Sequence, residues 1–545
     1  MKILQESKIL KTNLIQDLEK FEQESLTDYA ENLAEEHLQG SNAEQKKAKG
    51  QFFTSKEVAR FMVGLFDIKG ERIRFLDPGA GAGILTAAFC ERILSLKVKV
   101  ALNIDAYEND PLLIPSLNKV LQKCKSALKK KGHDVHINII ENDFILKNAS
   151  FFDNEGLSLW HDKHPAFDYV ISNPPYYKLN VDSVHAKTMK GFDLGHPNVY
   201  ALFMTLSLRL LNPEGEMVFI TPRSFCSGLY YKKFRAWLLK NAVFSHIHIF
   251  GSRKDVFEQE GVLQENIILK VAPRKPKRKN IESFVDITVS KNQSFEDIKL
   301  HRVAREEIFH EMNEDTLIKI PTSQLHIQIQ HAVKDWRYTL YNLGLEVSTG
   351  PIVHFRVKEL LKDFVDEKTT APLIWMHNIK GMEVVWPEKK SGKETAVRLV
   401  EDSKALLLPI KNYVLIKRFS SKEQERRLYA GLFLSRNFNS TVIGIENHVN
   451  YLYRRHGDMT PNGAVGMTAL LNTAIVDEYF RCLNGNTQVN ASDLRVLPFP
   501  CFDSIEEIGK VVTAKKPEIG FQLDSIVAAT LGISDQIVRS LHGKN

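Results

Sequence analysis

Between residues 73 and 271, short apolar runs recur, each closed by polar or turn-forming residues. The runs at 73–76, 104–107, 135–140, 169–171, 217–221, 246–250 and 266–271 are rich in β-branched and aromatic residues and have strand length. Helix-length stretches separate several of them, with a helix expected over 199–211 after Pro197-Asn198 and a turn at Asn212-Pro213-Glu214-Gly215. Such alternation predicts an α/β fold built on a doubly wound parallel sheet, whose ligands lie beyond the carboxyl ends of the strands.

Outside this block the pattern changes. Residues 1–45 read as a polar, Glu-rich helical arm with Leu14, Leu18 and Phe21 at helix spacing, better suited to packing than to holding a partner. Gly50 then breaks the chain, Phe52-Phe53 follows, and Thr54 or Ser55 can cap a helix starting near Lys56. A basic, proline-containing run at 272–279 reads as a linker. Residues 281–501 form a less regular mixed α/β region, and 502–545 a helical tail packing through Leu523, Ile526, Val527 and Leu531. The expected division is therefore 1–45, 46–280, 281–501 and 502–545.

Composition adds modest constraints. The 545 residues are 43% hydrophobic, enough for a sizeable core. Lys and Arg number 73 against 66 Asp and Glu, a net +7 that permits a nucleic-acid partner without demanding one. Five scattered cysteines show no metal or redox spacing, which implies reduced thiols, no metal and a cytoplasmic setting. Neither a signal core nor a membrane-length apolar run is present.

The chemistry concentrates at the strand ends. After the fourth run comes Ser172-Asn173-Pro174-Pro175-Tyr176. The prolines hold Asn173 and Pro174 extended and remove N–H groups, so the Asn173 side-chain oxygen and Pro174 carbonyl stand as acceptors beside the Tyr176 ring. Such a corner suits a planar group bearing an amine. A proline turn that merely closes a strand is the bland alternative. The first run leads into Asp77-Pro78-Gly79-Ala80-Gly81-Ala82-Gly83, where glycines allow a sharp turn and close ligand approach. Asp77 suits a cation better than a phosphate. The second run ends in Glu108-Asn109-Asp110 and the third in Asn142-Asp143-Phe144. An acidic residue ending the second strand can accept both hydroxyls of a ribose, Glu108 first and Asp110 as the alternative. For either, a solvated acidic turn is the bland reading.

Together these motifs resemble the gamma-type N6-adenine DNA methyltransferases of restriction–modification systems, TaqI-like, with a C-terminal target-recognition domain. The resemblance implies a class I S-adenosylmethionine-dependent methyltransferase sheet of Rossmann-like form, followed by a mixed α/β recognition domain. It implies that Phe53 and Thr54 touch the methionine end of the cofactor, although Ser55 stands where the family carries proline. Asp77 would meet the ammonium, Gly79 and Gly81 would line the turn, and Glu108 would hold the ribose. Asp143 and Phe144 would meet the cofactor adenine. Asn173 and Pro174 would grip the target amine, and Tyr176, with Phe257, would stack on the flipped base. The implied partners are double-stranded DNA and a restriction endonuclease acting separately, with the chain itself a monomer. The segments around Val347-Ser348-Thr349-Gly350-Pro351, Lys417-Arg418, Glu446-Asn447-His448 and Thr487-Gln488-Val489-Asn490 resemble recognition regions, and Arg356, Lys417, Arg418, Arg454 and Arg455 are candidate DNA contacts. The same tetrapeptide also occurs in RNA adenine and protein glutamine methyltransferases, and a catalytically silent DNA-binding subunit is a further alternative.

Overall fold

A computed structural model describes residues 25–39, 54–149, 166–180, 182–188, 195, 198–251, 265–275, 283–312, 315–420, 424–485 and 488–543. The chain forms two units, Met1–Ile318 and Lys319–Asn545. Phe53 and Phe257 lie outside the described residues.

The first unit is built on a nine-stranded sheet: β1 (Arg72–Asp77), β2 (Ala101–Tyr107), β3 (Asp134–Ile140), β4 (Phe167–Ser172), β5 (Leu211–Pro222), β6 (Ala242–Phe250), β7 (Asn266–Pro273), β8 (Phe284–Ser290) and β9 (Lys299–Ala304). Their order is β3-β2-β1-β4-β5-β7-β6-β8-β9. Strands β1 to β5 are parallel, and β7 runs antiparallel between β5 and β6. The order reverses between β1 and β4, the switch point where open α/β sheets bind ligands. This is the expected doubly wound α/β sheet, enlarged at one edge.

Local chemistry sets the helix starts. Helix α1 spans Leu26–Gln39, α2 Lys56–Gly64, α3 Ile84–Leu94, α4 Ile114–Lys130, α5 Phe144–Lys147, α6 Val184–Thr188 and α7 Val199–Leu210. Ser55 caps α2 by accepting from the Val58 N–H, and Asn198 caps α7 by accepting from the Tyr200 N–H. Gly83 precedes α3 at φ +92°, and a Cβ there would stand 3.0 Å from Leu117 Cδ1. Both backbone and space therefore require glycine. The core between α2, α3 and the sheet is aromatic, with Phe75 and Phe89 stacked at 4.0 Å between centroids.

Three expectations change. Residue 280 does not end the first unit. β8 pairs parallel with β6 and β9 pairs with β8, so the sheet continues to Ala304. The basic, proline-bearing run has a linker's composition, yet Ala272 and Pro273 end β7 and the chain beyond it enters β8 of the same sheet. Nor does the described part of the N-terminal segment, 25–39, stand apart: Leu26, Ala30 and Leu33 of α1 belong to the first unit's core, while Leu14, Leu18 and Phe21 lie outside the described residues. Thr27 donates from its N–H (2.8 Å) and hydroxyl (2.9 Å) to Oε1 of buried Glu91 on α3, while Arg60 Nε reaches Oε2 at 3.2 Å. Finally, Asn212 to Gly215 do not interrupt β5 but form an irregularity opposite Asp168, whose Oδ1 accepts from Asn212 Nδ2 at 2.6 Å.

The second unit contains a six-stranded sheet ordered Leu345–Thr349, Val449–Arg454, Tyr413–Lys417, Ala430–Phe433, Glu383–Val384 and Ile379–Lys380. A five-stranded sheet is ordered Leu361–Lys362, Ala396–Arg398, Thr370–Ile374, Val442–Ile445 and Leu407–Pro409. The expected tail is part of this unit, because α8 (Pro461–Leu471) and α9 (Phe502–Lys515) cross at bare backbone. A Cβ on Gly466 would stand 1.8 Å from the Ile505 carbonyl oxygen, and one on Gly509 1.9 Å from that of Asn462. Leu523 and Val527 are buried as expected, and Ile526 and Leu531 are half-buried.

Candidate functional site

A cavity of about 540 Å3 opens at the carboxyl ends of β1, β2, β3 and β4. Small-molecule sites typically measure ~300–1,000 Å3. Thr54, Gly79, Gly81, Glu108, Asp143, Phe144 and Asn173 line it, so the strand-end motifs converge as the doubly wound topology requires.

The glycine turn and the end of β2 hold each other. The Ala80 N–H donates to the Tyr107 carbonyl at 2.8 Å. Glu108 Oε2 accepts from the Gly81 N–H at 2.8 Å, and Oε1 from those of Asn109 (2.9 Å) and Asp110 (2.7 Å). Gly81 has φ +55°, a conformation that favours glycine and turns this N–H toward the carboxylate. Burial raises the Glu108 pKa against those three N–H groups. A carboxylate offers about four acceptor sites, so Oε2 keeps capacity for one further donor.

Asp77 is placed differently from the expectation. It is fully buried, its Oδ2 accepts from the Thr86 hydroxyl at 2.8 Å, and it does not line the cavity. Burial pushes its carboxyl up to about 7, against the Thr86 hydroxyl and the Gly79 N–H. As the last residue of β1 it braces the turn from below.

At the end of β3, Asp143 does two things. Its Oδ1 caps α5 by accepting from the Leu146 N–H at 2.9 Å. Its Oδ2 meets His185 Nε2 at 2.9 Å and Asn109 Nδ2 at 3.4 Å. Burial alone would raise the Asp143 pKa, but the His185 bond and the cap N–H groups outweigh it and the net shift is downward. His185 is shifted upward, chiefly by its bond to Asp143. Phe144 is buried, edge-on to Tyr107 (5.1 Å) and tilted against Phe203 (5.2 Å), and forms part of the cavity wall.

The fourth corner joins distant segments. Asn173 Nδ2 donates to Thr54 Oγ1 at 3.1 Å, coupling the start of α2 to the end of β4. The Tyr176 hydroxyl lies 2.5 Å from Asn173 Oδ1 and 3.1 Å from the Ile220 carbonyl, and its one proton is shared between these acceptors. Pro174 is buried and Tyr176 half-buried, and neither lines the cavity, whereas Pro175 and Tyr177 do. Tyr177 is 38% exposed. Sequence reasoning missed Tyr177, His185, Asn109 and Phe203. The doubled Tyr176-Tyr177 was a usable signal. His185 gave none, since its spacing from Asp143 follows no local period.

Among the candidate basic contacts of the second unit, several are engaged locally. Arg418 donates through Nη1 to the Asn447 carbonyl (3.0 Å) and through Nη2 to Gln488 Oε1 (3.3 Å). Arg455 pairs with Glu346 at 2.7 Å, and burial lowers the Lys417 pKa. Arg356 is exposed.

A family model described as the Eco57I restriction-modification methylase matches residues 86–257. The type II methyltransferase M.BsuBI of Bacillus subtilis is 37% identical over 483 residues, 88% of this chain and 93% of that protein. The type II methyltransferase M.PstI of Providencia stuartii is 32% identical over 466 residues, 85% of this chain and 89% of that protein. A solved structure of the type IIL restriction-modification enzyme MmeI in complex with DNA covers 95% of this chain and 74% of that chain, at 11% identity and a TM-score of 0.47.

Proposed function

Because the chain belongs to the gamma-type DNA methyltransferases of type II restriction–modification systems, we propose that it methylates N6 of an adenine flipped out of duplex DNA, in the TaqI-like manner. S-adenosylmethionine is the proposed methyl donor, and the second unit the proposed reader of the target sequence. One observation carries the reading: Asn173 closes β4, lines the cavity, and is held there by Thr54 from one side and Tyr176 from the other.

The cavity fits the cofactor in size and in donor set. Glu108 has acceptor capacity for a ribose hydroxyl, Asp143 for an adenine amine, and Phe144 offers an apolar wall. Thr54 and the Gly79–Gly81 turn would bound the methionine end. Asp77 would act through the turn it braces. When bound, the cofactor supplies an electrophilic methyl group on a sulfonium.

The protein's task is to make an amine nucleophilic. The N6 lone pair of adenine is delocalised into the ring. Accepting its two N–H bonds on Asn173 Oδ1 and the Pro174 carbonyl holds the nitrogen toward tetrahedral geometry and localises the pair. The two prolines would restrict the Asn173-Pro174 backbone and so fix both acceptors beforehand, and their contribution is orientation and preorganised dipoles. The methylated nitrogen would carry a positive charge and be acidic enough to pass its surplus proton to solvent water, so no strong base is needed. Extruding the base costs a few kcal/mol, and stacking on Tyr176 would return about 1–3 kcal/mol.

Asn173→Ala tests this. Methyl transfer to duplex DNA should fall by about 10²–10³-fold, the usual effect of removing one preorganised polar group. Binding of S-adenosylmethionine by isothermal titration should persist. Near-normal turnover would remove Asn173 from the mechanism. Running the assay on RNA and on protein substrates alongside duplex DNA separates the three substrate classes.

A further inference from the structure

The second unit carries a cluster that the methyl-transfer chemistry does not use. His354, Glu446 and His448 each present one ligand atom, and these atoms lie within 4.8 Å of one another. Glu446 is fully buried, yet its carboxylate is approached by two imidazoles. Its Oε1 lies 3.1 Å from His354 Nδ1 and 2.6 Å from His448 Nδ1, while Oε2 accepts from the His448 N–H at 2.8 Å. The imidazoles are 29% and 38% exposed, so the cluster is open on the side of the two rings.

The backbone fixes this convergence. Gly350 passes so close to the neighbouring strand end that a Cβ would stand 2.3 Å from the Glu446 carbonyl oxygen. Ile352 then pairs with Glu446: its N–H donates to the Ile445 carbonyl at 3.2 Å, and its carbonyl accepts from the Asn447 N–H at 2.9 Å. Two residues later the short turn His354–Arg356 brings His354 over the carboxylate. On the other side the Arg418 N–H donates to the His448 carbonyl at 2.9 Å, and the Phe419 ring packs 4.8 Å from that of His448.

We propose that His354, Glu446 and His448 bind a divalent transition-metal ion of the Zn2+ class, through His354 Nδ1, His448 Nδ1 and a Glu446 oxygen, with water completing the shell. Two imidazoles and one carboxylate form an N/O donor set suited to such an ion, and three protein ligands plus water is a familiar zinc arrangement. Around a tetrahedral ion with bonds of about 2.0–2.1 Å, ligand atoms stand roughly 3.3 Å apart. The His354–Glu446 separation already matches, and His448 needs to withdraw by less than an ångström. Each neutral imidazole would keep its proton on Nε2 and offer the Nδ1 lone pair, so the ion takes the place of the protons now shared with Glu446. The bound ion would pin the turn bearing Phe355, which is 60% exposed, and the exposed Arg356 to the end of the Val442–Ile445 strand. It would thereby order that surface.

The test uses full-length, untagged protein stripped with a chelator and titrated with Co2+ as a spectroscopic probe. One tightly held equivalent is expected, with visible absorption of a four- or five-coordinate site and displacement by Zn2+. His448→Phe keeps a ring at a half-exposed position and should weaken Co2+ binding by more than about 10-fold. Glu446→Gln should do the same, and circular dichroism reports whether its fold is intact. Failure of the wild-type chain to hold one equivalent overturns the proposal without any variant. An unchanged Co2+ spectrum and affinity in His448→Phe overturns it as well.

Discussion

The contact between the Tyr176 hydroxyl and Asn173 Oδ1 separates two neighbouring tyrosines in role. Tyr176→Phe removes one donor from the Asn173 oxygen and should lower stability by about 0.5–1.5 kcal/mol, an ordinary hydrogen bond, in denaturant titration. Methyl transfer should change by no more than a few-fold, because the ring remains. Tyr177→Ala, in contrast, alters the cavity wall and should weaken cofactor binding by titration while leaving the Asn173 corner intact. That Glu108, Asp143, Phe144 and Asn173 meet at one cavity was legible in the sequence, because strand ends in such a sheet converge. The burial of Asp77 was not, because a motif states residue type and order but not depth. A different residue sets a pH dependence. His246 on β6 is fully buried beside Thr288, and burial pulls its pKa from 6.5 down to about 4. It folds neutral, so its contribution is intact above about pH 6.5 and is lost as the pH falls toward 4. Unfolding free energy should therefore drop by about 3 kcal/mol across that window from this group alone. His246→Gln should flatten that part of the profile in urea melts at stepped pH.

Among the elements, the strands from β1 to β7 appear where apolar runs place them, with ends moved by a few residues. Strands β8 and β9 were absorbed into a second domain because the basic, proline-bearing run before them has the composition of a linker, while their place beside β6 depends on pairing distant in sequence. The same limit hid the His354–Glu446–His448 cluster: Glu446 and His448 are two residues apart, but His354 lies 92 residues before Glu446 and shares no local spacing with them. Helix crossings are equally hidden. Nothing in the periodicity of α8 or α9 reveals that they meet at Gly466 and Gly509, since a glycine in a helix usually reads as a weak point. Gly466→Ala should therefore destabilise instead of raising helix propensity. The added carbon must displace the Ile505 backbone, and a loss of about 1–3 kcal/mol is expected, the cost of overpacking, as a lowered midpoint in thermal or urea unfolding.

For the whole molecule, the boundary at Ile318 in place of 280 has a direct test. A chain ending at 280 lacks β8 and leaves β6 as an unpaired edge next to buried His246 and His248. It should aggregate on expression, while one ending at 318 should be recovered folded by size-exclusion chromatography and circular dichroism. The opposite end raises the converse point. Glu91, rooted in the helix that follows the glycine turn, faces Thr27 and Arg60 and is shielded by α1. Anyone trimming the protein to its recognisable motifs would begin near residue 46 and expose that carboxylate together with an apolar seam. Helix α1, which bears no motif at all, thus acts as a keystone for the helix that follows the glycine turn, and its removal is expected to lower ligand affinity in a titration.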